Sequence, residues 1–558
     1  MTAKQGGFWR RHRVLKWALG AALLVLVALG VGVSIAFKKA EPLLRAAIVK
    51  ELAEHFHARV ELDSFHVSLV DGLWAEGKGL RIWPPAEAEG VAAPGTAGSS
   101  GPGPLIKIDE FRFHTPLRLK PGEPIRIAVV ELKGLAVDLP PKSHFTHRAL
   151  ATPAAGHGSA FLRFEVESIQ CTDAHLTIET DKPGKLPLEF AIAHVHLTGV
   201  GAGGAMRFDA ELTNPKPVGT ILTAGTVGPW AVSDPGETPL NGSYRFEHAD
   251  LGVFKGIAGI LESTGRYGGV LRDLTVDGET DTPDFRLTKF GTALSLHTEF
   301  HAHVDGTNGD TWLEPVHATL GQSEFVAEGK VVRVPAGVAA NGAATPGGHE
   351  IALNVTVNGG RMEDFLRLTS KNGMPLLIGR LTLKTTLEIP PGTAAVDERM
   401  RLKGSFTLDD AQFTSAKIQS RVDELSLRGQ GRPKEARNGE GGEVRSTIAS
   451  DFTMANAVIA LPDLKFTVPG AEIDLNGTYG MKGGALNFTG TAKTQATVSE
   501  LVGGWKGELL KPVDRFFKKD GAGTEVPVHV NGTREEPQFG VDLGRTKHTE
   551  VEIPGQTQ

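Results

Sequence analysis

Apolar and polar residues alternate along much of the chain with a period of two. Such alternation gives a β-strand one dry face and one wet face. The apolar positions of four clear runs include Leu294, Leu296, Phe300, Leu381, Leu383, Leu387, Phe466 and Val528. Turn pairs such as Asp277-Gly278, Asp305-Gly306 and Asn476-Gly477 separate or follow these runs. The pattern predicts a mostly β protein, whose dry faces either line an open groove or meet inside a β-sandwich.

The N-terminus has a different pattern. Residues 17–37 contain no charged side chain, and a helix of this length spans ~31 Å, which matches a hydrocarbon core of ~30 Å. The basic residues before it are Lys4, Arg10, Arg11, Arg13 and Lys16. Excess positive charge marks the cytosolic side, so residues 1–16 are predicted to be cytosolic and the body to lie outside. A cleaved signal peptide is the alternative, but its apolar region is normally only ~7–15 residues long.

Helical periodicity follows this segment and then stops. Leu44, Ile48, Leu52 and Phe56 recur every four residues, which predicts an amphipathic helix within residues 38–58. The β-rich body is predicted over residues 59–545, with a tail at 546–558. Its predicted flexible insertions are rich in Gly, Pro and Ala and lie near 84–104, 335–349 and 430–443. Its predicted short helices lie at 249–263, 361–370 and 498–519.

Composition narrows the possible functions. The net charge is −6 and Lys and Arg are dispersed, which argues against nucleic-acid binding. A single cysteine, Cys171, excludes an internal disulfide framework, and we expect its thiol to be buried rather than nucleophilic. The sequence contains no nucleophile elbow and no P-loop. We therefore predict no catalytic residues, no metal, no cofactor and no enzymatic activity.

Two motifs resemble ligand sites. Gly199-x-Gly201-x-x-Gly204 has dinucleotide-motif spacing, but an alternating, strand-like segment follows it where a helix would be needed. The His-x-His pairs are His55/His57, His194/His196 and His301/His303. In a strand the last two pairs could bind zinc with a carboxylate, and Glu299 would share a face with His301 and His303. That face is the wet one, which favours solvated surface histidines.

The layout and several segments resemble the AsmA-like family of diderm bacteria. The resemblance lies in the basic N-terminus, the membrane segment, the amphipathic helix and ARVELDSFHVSLVDGLWAEGKGLRIWPP, and in three later segments. Those are FKGIAGILESTGRYGGVLRDLTVDGETDTPDF, VDGTNGDTWLEPVHATLG and VPVHVNGTREEPQFGVDL. The resemblance implies an elongated, curved antiparallel sheet that forms an apolar groove. It carries no catalytic residues.

The function that the resemblance implies is lipid transport. The chain would be a single-pass inner-membrane protein whose periplasmic body shields phospholipid acyl chains between the inner and outer membranes, together with an outer-membrane or periplasmic partner. The eight apolar residues above are the candidate groove lining. A non-enzymatic scaffold for outer-membrane assembly and an all-β periplasmic enzyme are the alternatives.

Overall fold

A computed structural model of the protein describes most of the chain after residue 40. The described ranges are 41–42, 44–50, 52–54, 58–68, 72–83, 103–115, 125–139, 164–179, 187–200, 204–229, 231, 234–288, 292–338, 344–370, 374–439, 442–502 and 523–541. Within these ranges no helix has the length and apolar content needed to cross a bilayer. The predicted transmembrane segment, residues 17–37, the tail, and most of the predicted insertion 84–104 lie outside them.

The described chain is mostly β, as the alternation predicts. The strands up to residue 250 are β1 (Val60–Ser68), β2 (Leu73–Ile82), β3 (Ile106–Thr115), β4 (Ile125–Leu139), β5 (Phe164–Ile178), β6 (Leu188–Thr198), β7 (Met206–Pro215), β8 (Val218–Val227) and β9 (Pro239–Asp250). The next are β10 (Ile257–Ala258), β11 (Ile260–Val270), β12 (Asp273–Leu287), β13 (Leu294–Asp305), β14 (Asp310–Leu320), β15 (Ser323–Val334), β16 (Gly337–Val338), β17 (Ala344–Thr345) and β18 (Gly348–Arg361). The last are β19 (Leu377–Ile389), β20 (Arg401–Phe413), β21 (Ser446–Ala455), β22 (Val458–Val468), β23 (Ala471–Gly480), β24 (Ala485–Thr494), β25 (Thr524–Thr533) and β26 (Pro537–Val541).

Helices are short and few in the described chain. They are α1 (residues 41–42, 44–50 and 52–54), α2 (Met362–Arg367), α3 (Val396–Arg399), α4 (Ala416–Gly429), α5 (Pro433–Asn438) and α6 (Val498–Val502). The prediction of a helix at 361–370 is confirmed by α2. The one at 498–519 is confirmed only for α6, because residues 503–522 lie outside the description.

The predicted helix at 249–263 is wrong. A single 3-10 turn, Leu251–Val253, is followed by β10 and β11. Gly256 and Gly259 have φ angles of +107° and +145°, which an α-helix cannot include. The apolar spacing of this segment reflects strands that glycines interrupt.

The described parts of two predicted insertions contain regular secondary structure. In 430–443, α5 begins at Pro433, which suits a first-turn position. It ends at Gly439, whose φ of +68° is the usual left-handed helix stop. Within 335–349, β16 and β17 form a small hairpin.

The chain divides into two compact units. The first comprises residues 1–181, 186–213 and 222–241, and the second comprises 182–185, 214–221 and 242–558.

In the first unit, β1 to β4 pair in chain order and antiparallel, and so do β5, β6 and β7. β4 and β5 are parallel, which corrects the expectation of a wholly antiparallel sheet. A parallel pair needs a connection of a dozen or more residues, and 24 residues, 140–163, separate these two strands in the sequence. The apolar face of β1–β3 forms a closed core, on which Leu44, Ile48 and Leu52 of α1 pack. The predicted amphipathic stripe is confirmed for these three residues.

In the second unit, strands pair antiparallel with their neighbours in the chain from β11 to β15. β15 then pairs with β18, and the order continues to β26. Such a meander keeps every strand's dry side on one face of the sheet, provided that the register is held.

Candidate functional site

The register of the second unit joins the dry sides of its strands into one apolar face. One row of successive Cα partners crosses six strands and consists of Thr298, Ala318, Phe325, Val357, Leu383 and Phe406. A second row continues across the later strands and consists of Leu381, Leu408, Ile448, Phe466, Ile473, Ala492 and Val526. The face is therefore unbroken from β13 to β25, and we call it the second-unit apolar face.

All eight residues singled out from the sequence lie on this face. Leu294, Leu296 and Phe300 alternate with the wet side of β13, and Leu387 lies between Leu353 and Leu402 in the register. Val528 is two residues from Val526, so the two share a side of β25. The sequence pattern alone placed these positions together.

Seven of the eight side chains are half-buried, but Leu381 is only 3% exposed. It belongs to a buried cluster with Leu408, Ala411 and Ile448. Leu381 therefore has a structural core role and does not line an accessible surface.

Helices cover part of the face. Met362 and Phe365 of α2 pack on the cluster around Leu381, and the Phe365 ring lies 6.3 Å from that of Phe325. Asp364 anchors α2 by accepting hydrogen bonds from Ser323 Oγ (2.8 Å) and Gln322 N (3.0 Å).

α4 covers a neighbouring part. Val422 and Leu425 pack with Val468 and Ala471, and Ser426 Oγ donates to the Pro469 carbonyl at 2.7 Å. The face residues on which the two helices pack include buried ones: Leu381 and Leu408 beside α2, and Val468 and Ala471 beside α4. Leu353, Leu387 and Leu402 are half-buried and belong to none of the buried clusters of the described chain.

Aromatic rings lie over glycines on this face. Phe300 is the Cα partner of Gly278, and Phe488 that of Gly477. A Cβ at Gly278 would lie 2.9 Å from Phe300 Cζ, and one at Gly477 would lie 2.6 Å from Phe488 Cδ1. Asp277-Gly278 and Asn476-Gly477 are therefore strand interiors, and predicting them as turns was wrong.

The opposite side of β13 carries a histidine ladder. Facing carboxylates on β12 contact the Nδ1 atoms of three histidines: Asp281 contacts His297 at 2.7 Å, Asp277 contacts His301, and Asp273 contacts His303 at 3.2 Å. Hydrogen bonds to the carboxylates of Asp281 and Asp277 raise the pKa of His297 and His301 respectively above the ordinary imidazole value.

The carboxylate of Glu299 does not lie between His301 and His303, although its place on the same side of β13 made it the candidate from the sequence. Its Oε1 lies 3.9 Å from His297 Nε2, and the carboxylate between His301 and His303 is that of Glu314 on β14. Sequence spacing could not reveal Glu314, because its approach depends on strand register.

Two other motifs have structural explanations. Gly199 and Gly204 lie between the antiparallel strands β6 and β7, so a strand follows the glycines, as predicted, and not a helix. Cys171 is buried, as predicted, and burial raises the pKa of its thiol.

No family model, no curated protein and no solved structure matches the chain.

Proposed function

We propose that the protein shields the acyl chains of phospholipids on the second-unit apolar face, as a membrane-anchored, AsmA-like lipid carrier between inner and outer membranes. Some positions of this face, such as Val357, Leu408 and Ile448, are buried. The observation that supports the proposal most is that the register is unbroken and that seven of the eight candidate lining residues stay half-buried. A sealed core would bury most of them, as the first strands of the first unit do.

The physical basis is the hydrophobic effect without specific polar contacts. Each methylene removed from water contributes ~0.8 kcal/mol, so an acyl chain along the face would be held firmly. Neighbouring positions offer similar Leu, Val, Ile and Phe side chains. A lipid could then move between sites of nearly equal energy, while its headgroup stays in water.

The anchor in this proposal is the uncharged segment 17–37, which would hold the body at the donor membrane. α1 begins a few residues later and packs its apolar stripe on β1–β3. Phospholipids, the inner membrane and an outer-membrane or periplasmic protein are the partners that we propose.

One observation supports a scaffold function as the second candidate. β26 pairs with β25 and with no other strand of the described chain, and Phe539 on it is 61% exposed. An exposed strand edge with an aromatic side chain is suited to adding a strand from another protein.

Native mass spectrometry of the purified full-length protein tests the lipid proposal. We expect the wild-type chain to carry phospholipid and Leu387→Glu to carry much less, because a carboxylate would replace apolar lining outside the buried clusters. Thr382→Glu, an exposed position on the opposite side of the same strand, is the matched control and should keep the wild-type load.

Two results would contradict the proposal. One is a folded wild-type protein that never carries phospholipid, and the other is equal lipid content in both glutamate variants. Crosslinking from Phe539 that captures a defined envelope protein in either case would favour the scaffold function.

A further inference from the structure

Three side chains on the wet side of β13 and β14 converge on one point. His301 Nε2 lies 3.8 Å from Glu314 Oε2, and His303 Nε2 lies 3.7 Å from Glu314 Oε1. One ligand atom from each of the three residues lies within 4.8 Å of the others. Ligand atoms about 2.0–2.1 Å from a tetrahedral zinc ion are roughly 3.3 Å apart, so small side-chain rotations would close this arrangement around an ion.

The imidazoles are held in the orientation that a metal requires. Asp277 and Asp273 are hydrogen-bonded to the Nδ1 atoms of His301 and His303. An ionised carboxylate can only accept, so each Nδ1 carries the proton and each neutral ring keeps its Nε2 lone pair. Carboxylates that fix the tautomer and angle of ligand histidines are a common second layer of zinc sites.

A β-bulge in β14 positions Glu314, the third proposed ligand. The β13–β14 register shifts between Glu299 and Ala302, and the β14–β15 register shifts between Leu313 and Val316. Glu314 and Pro315 are therefore both exposed although they are consecutive. Pro315 has no N–H to lose from the ladder, which suits a bulge. The bulge turns the Glu314 carboxylate towards the two histidines.

We propose that His301, His303 and Glu314 bind one divalent transition-metal ion, with zinc as the best match to two imidazoles and a carboxylate. The fourth position stays open to water, since all three side chains are exposed by 37% to 55%. The bound ion would tie β13 to β14 across the bulge. This site lies on the side opposite the apolar face and does not depend on the lipid proposal.

A second His-x-His pair in the chain serves as a control for the proposed metal site. His194 and His196 on β6 also form a His-x-His pair, with Glu211 and Asp209 beside their Nδ1 atoms on β7. Their Cα partners on the other neighbour, β5, are Thr172 and Gln170. This pair therefore has the supporting carboxylates, but among the described residues no further carboxylate completes a three-ligand group with it as Glu314 does with His301 and His303.

Titration of the untagged, chelator-treated, full-length protein with ZnCl2 and CoCl2 tests the site. We expect one equivalent of zinc to bind, and cobalt to give the strong visible absorption of a four-coordinate site. His303→Gln and Glu314→Gln should abolish this stoichiometric binding, and Asp277→Asn should weaken it roughly 10–100-fold. The double variant His194→Gln/His196→Gln should bind like wild type.

The proposal is overturned if wild type binds no stoichiometric zinc, if binding survives both single ligand substitutions, or if the double control variant removes it. Circular dichroism confirms that each variant is folded. Lipid content by native mass spectrometry should be the same in wild type and His303→Gln, so failure of one proposal is distinguishable from failure of the other.

Discussion

The strands at the start of the first unit and those in the middle of the second carry the same alternation but differ in what covers it. Leu62 and Phe65 are each 4% exposed and lie in a cluster on which α1 packs. Leu353, Leu387 and Leu402 are half-buried and outside every buried cluster of the described residues. Alternation thus determines which side of a strand is dry, whereas in the first unit a separate helix, α1, packs on that side.

The largest expected difference is in the free energy of unfolding lost when a leucine is replaced by alanine, first at a buried position and then at a half-buried position of the apolar face. Leu408 is fully buried, so Leu408→Ala should lower the free energy of unfolding by about 3 kcal/mol. Leu387→Ala should cost only about 1 kcal/mol, because much less apolar surface leaves water there on folding. Urea denaturation measures both, and equal losses would mean that Leu387 is also part of a closed core.

Removing the side chain that holds α2 in place should expose the part of the apolar face that α2 covers. Asp364 is 2% exposed. Asp364→Ala removes the acceptor of Gln322 N and the nearer acceptor of Ser323 Oγ, which keeps only the Arg361 carbonyl at 3.3 Å. We expect a loss of about 2 kcal/mol and increased binding of a hydrophobic dye as α2 loosens. Glu388→Ala, an exposed position, is the control, and dye binding unchanged by Asp364→Ala would contradict this role for α2.

Acid should weaken the same helix by a smaller amount. Burial raises the pKa of Glu363, but hydrogen bonds from its own backbone, from Arg361 and from the Gly379 N–H outweigh this and leave the pKa below its ordinary value. Its stabilising effect is therefore complete above the unfolded pKa of about 4.3 and is lost as the pH falls through the lowered folded value.

Comparison of wild type with Glu363→Gln by urea denaturation at neutral and acid pH checks the sign. The difference in stability between the two proteins should be largest near neutrality and should shrink below about pH 4.3. A difference that grows in acid would mean that the carboxylate is not stabilised in the folded protein.

Period-two alternation predicted the strands and their shared face well, because burial of one side leaves a direct trace in the sequence. Leu294, Phe466 and Val528 are far apart in the chain and still lie on one face. Helix α4 was missed although Ile418, Val422 and Leu425 have helical spacing. Its many charged residues hid a narrow apolar stripe that was the available signal.

Features that depend on how two strands pair could not be inferred from the sequence of either strand alone. Gly278 and Gly477 look like turn residues until the partner strand places a phenylalanine ring over each. The parallel pair β4–β5 and the approach of Glu314 to His301 likewise depend on register and on a bulge. Such features require knowledge of which strand lies alongside.

The chain-order pairing of the second unit limits how its length can change in evolution or by engineering. Removing one strand would turn the two that flanked it into a parallel pair, which a short loop cannot connect. Removing or adding a hairpin preserves every direction and every inward-facing position, and changes the span by ~9.6 Å at a strand spacing of ~4.8 Å. Length in this unit should therefore vary in steps of two strands.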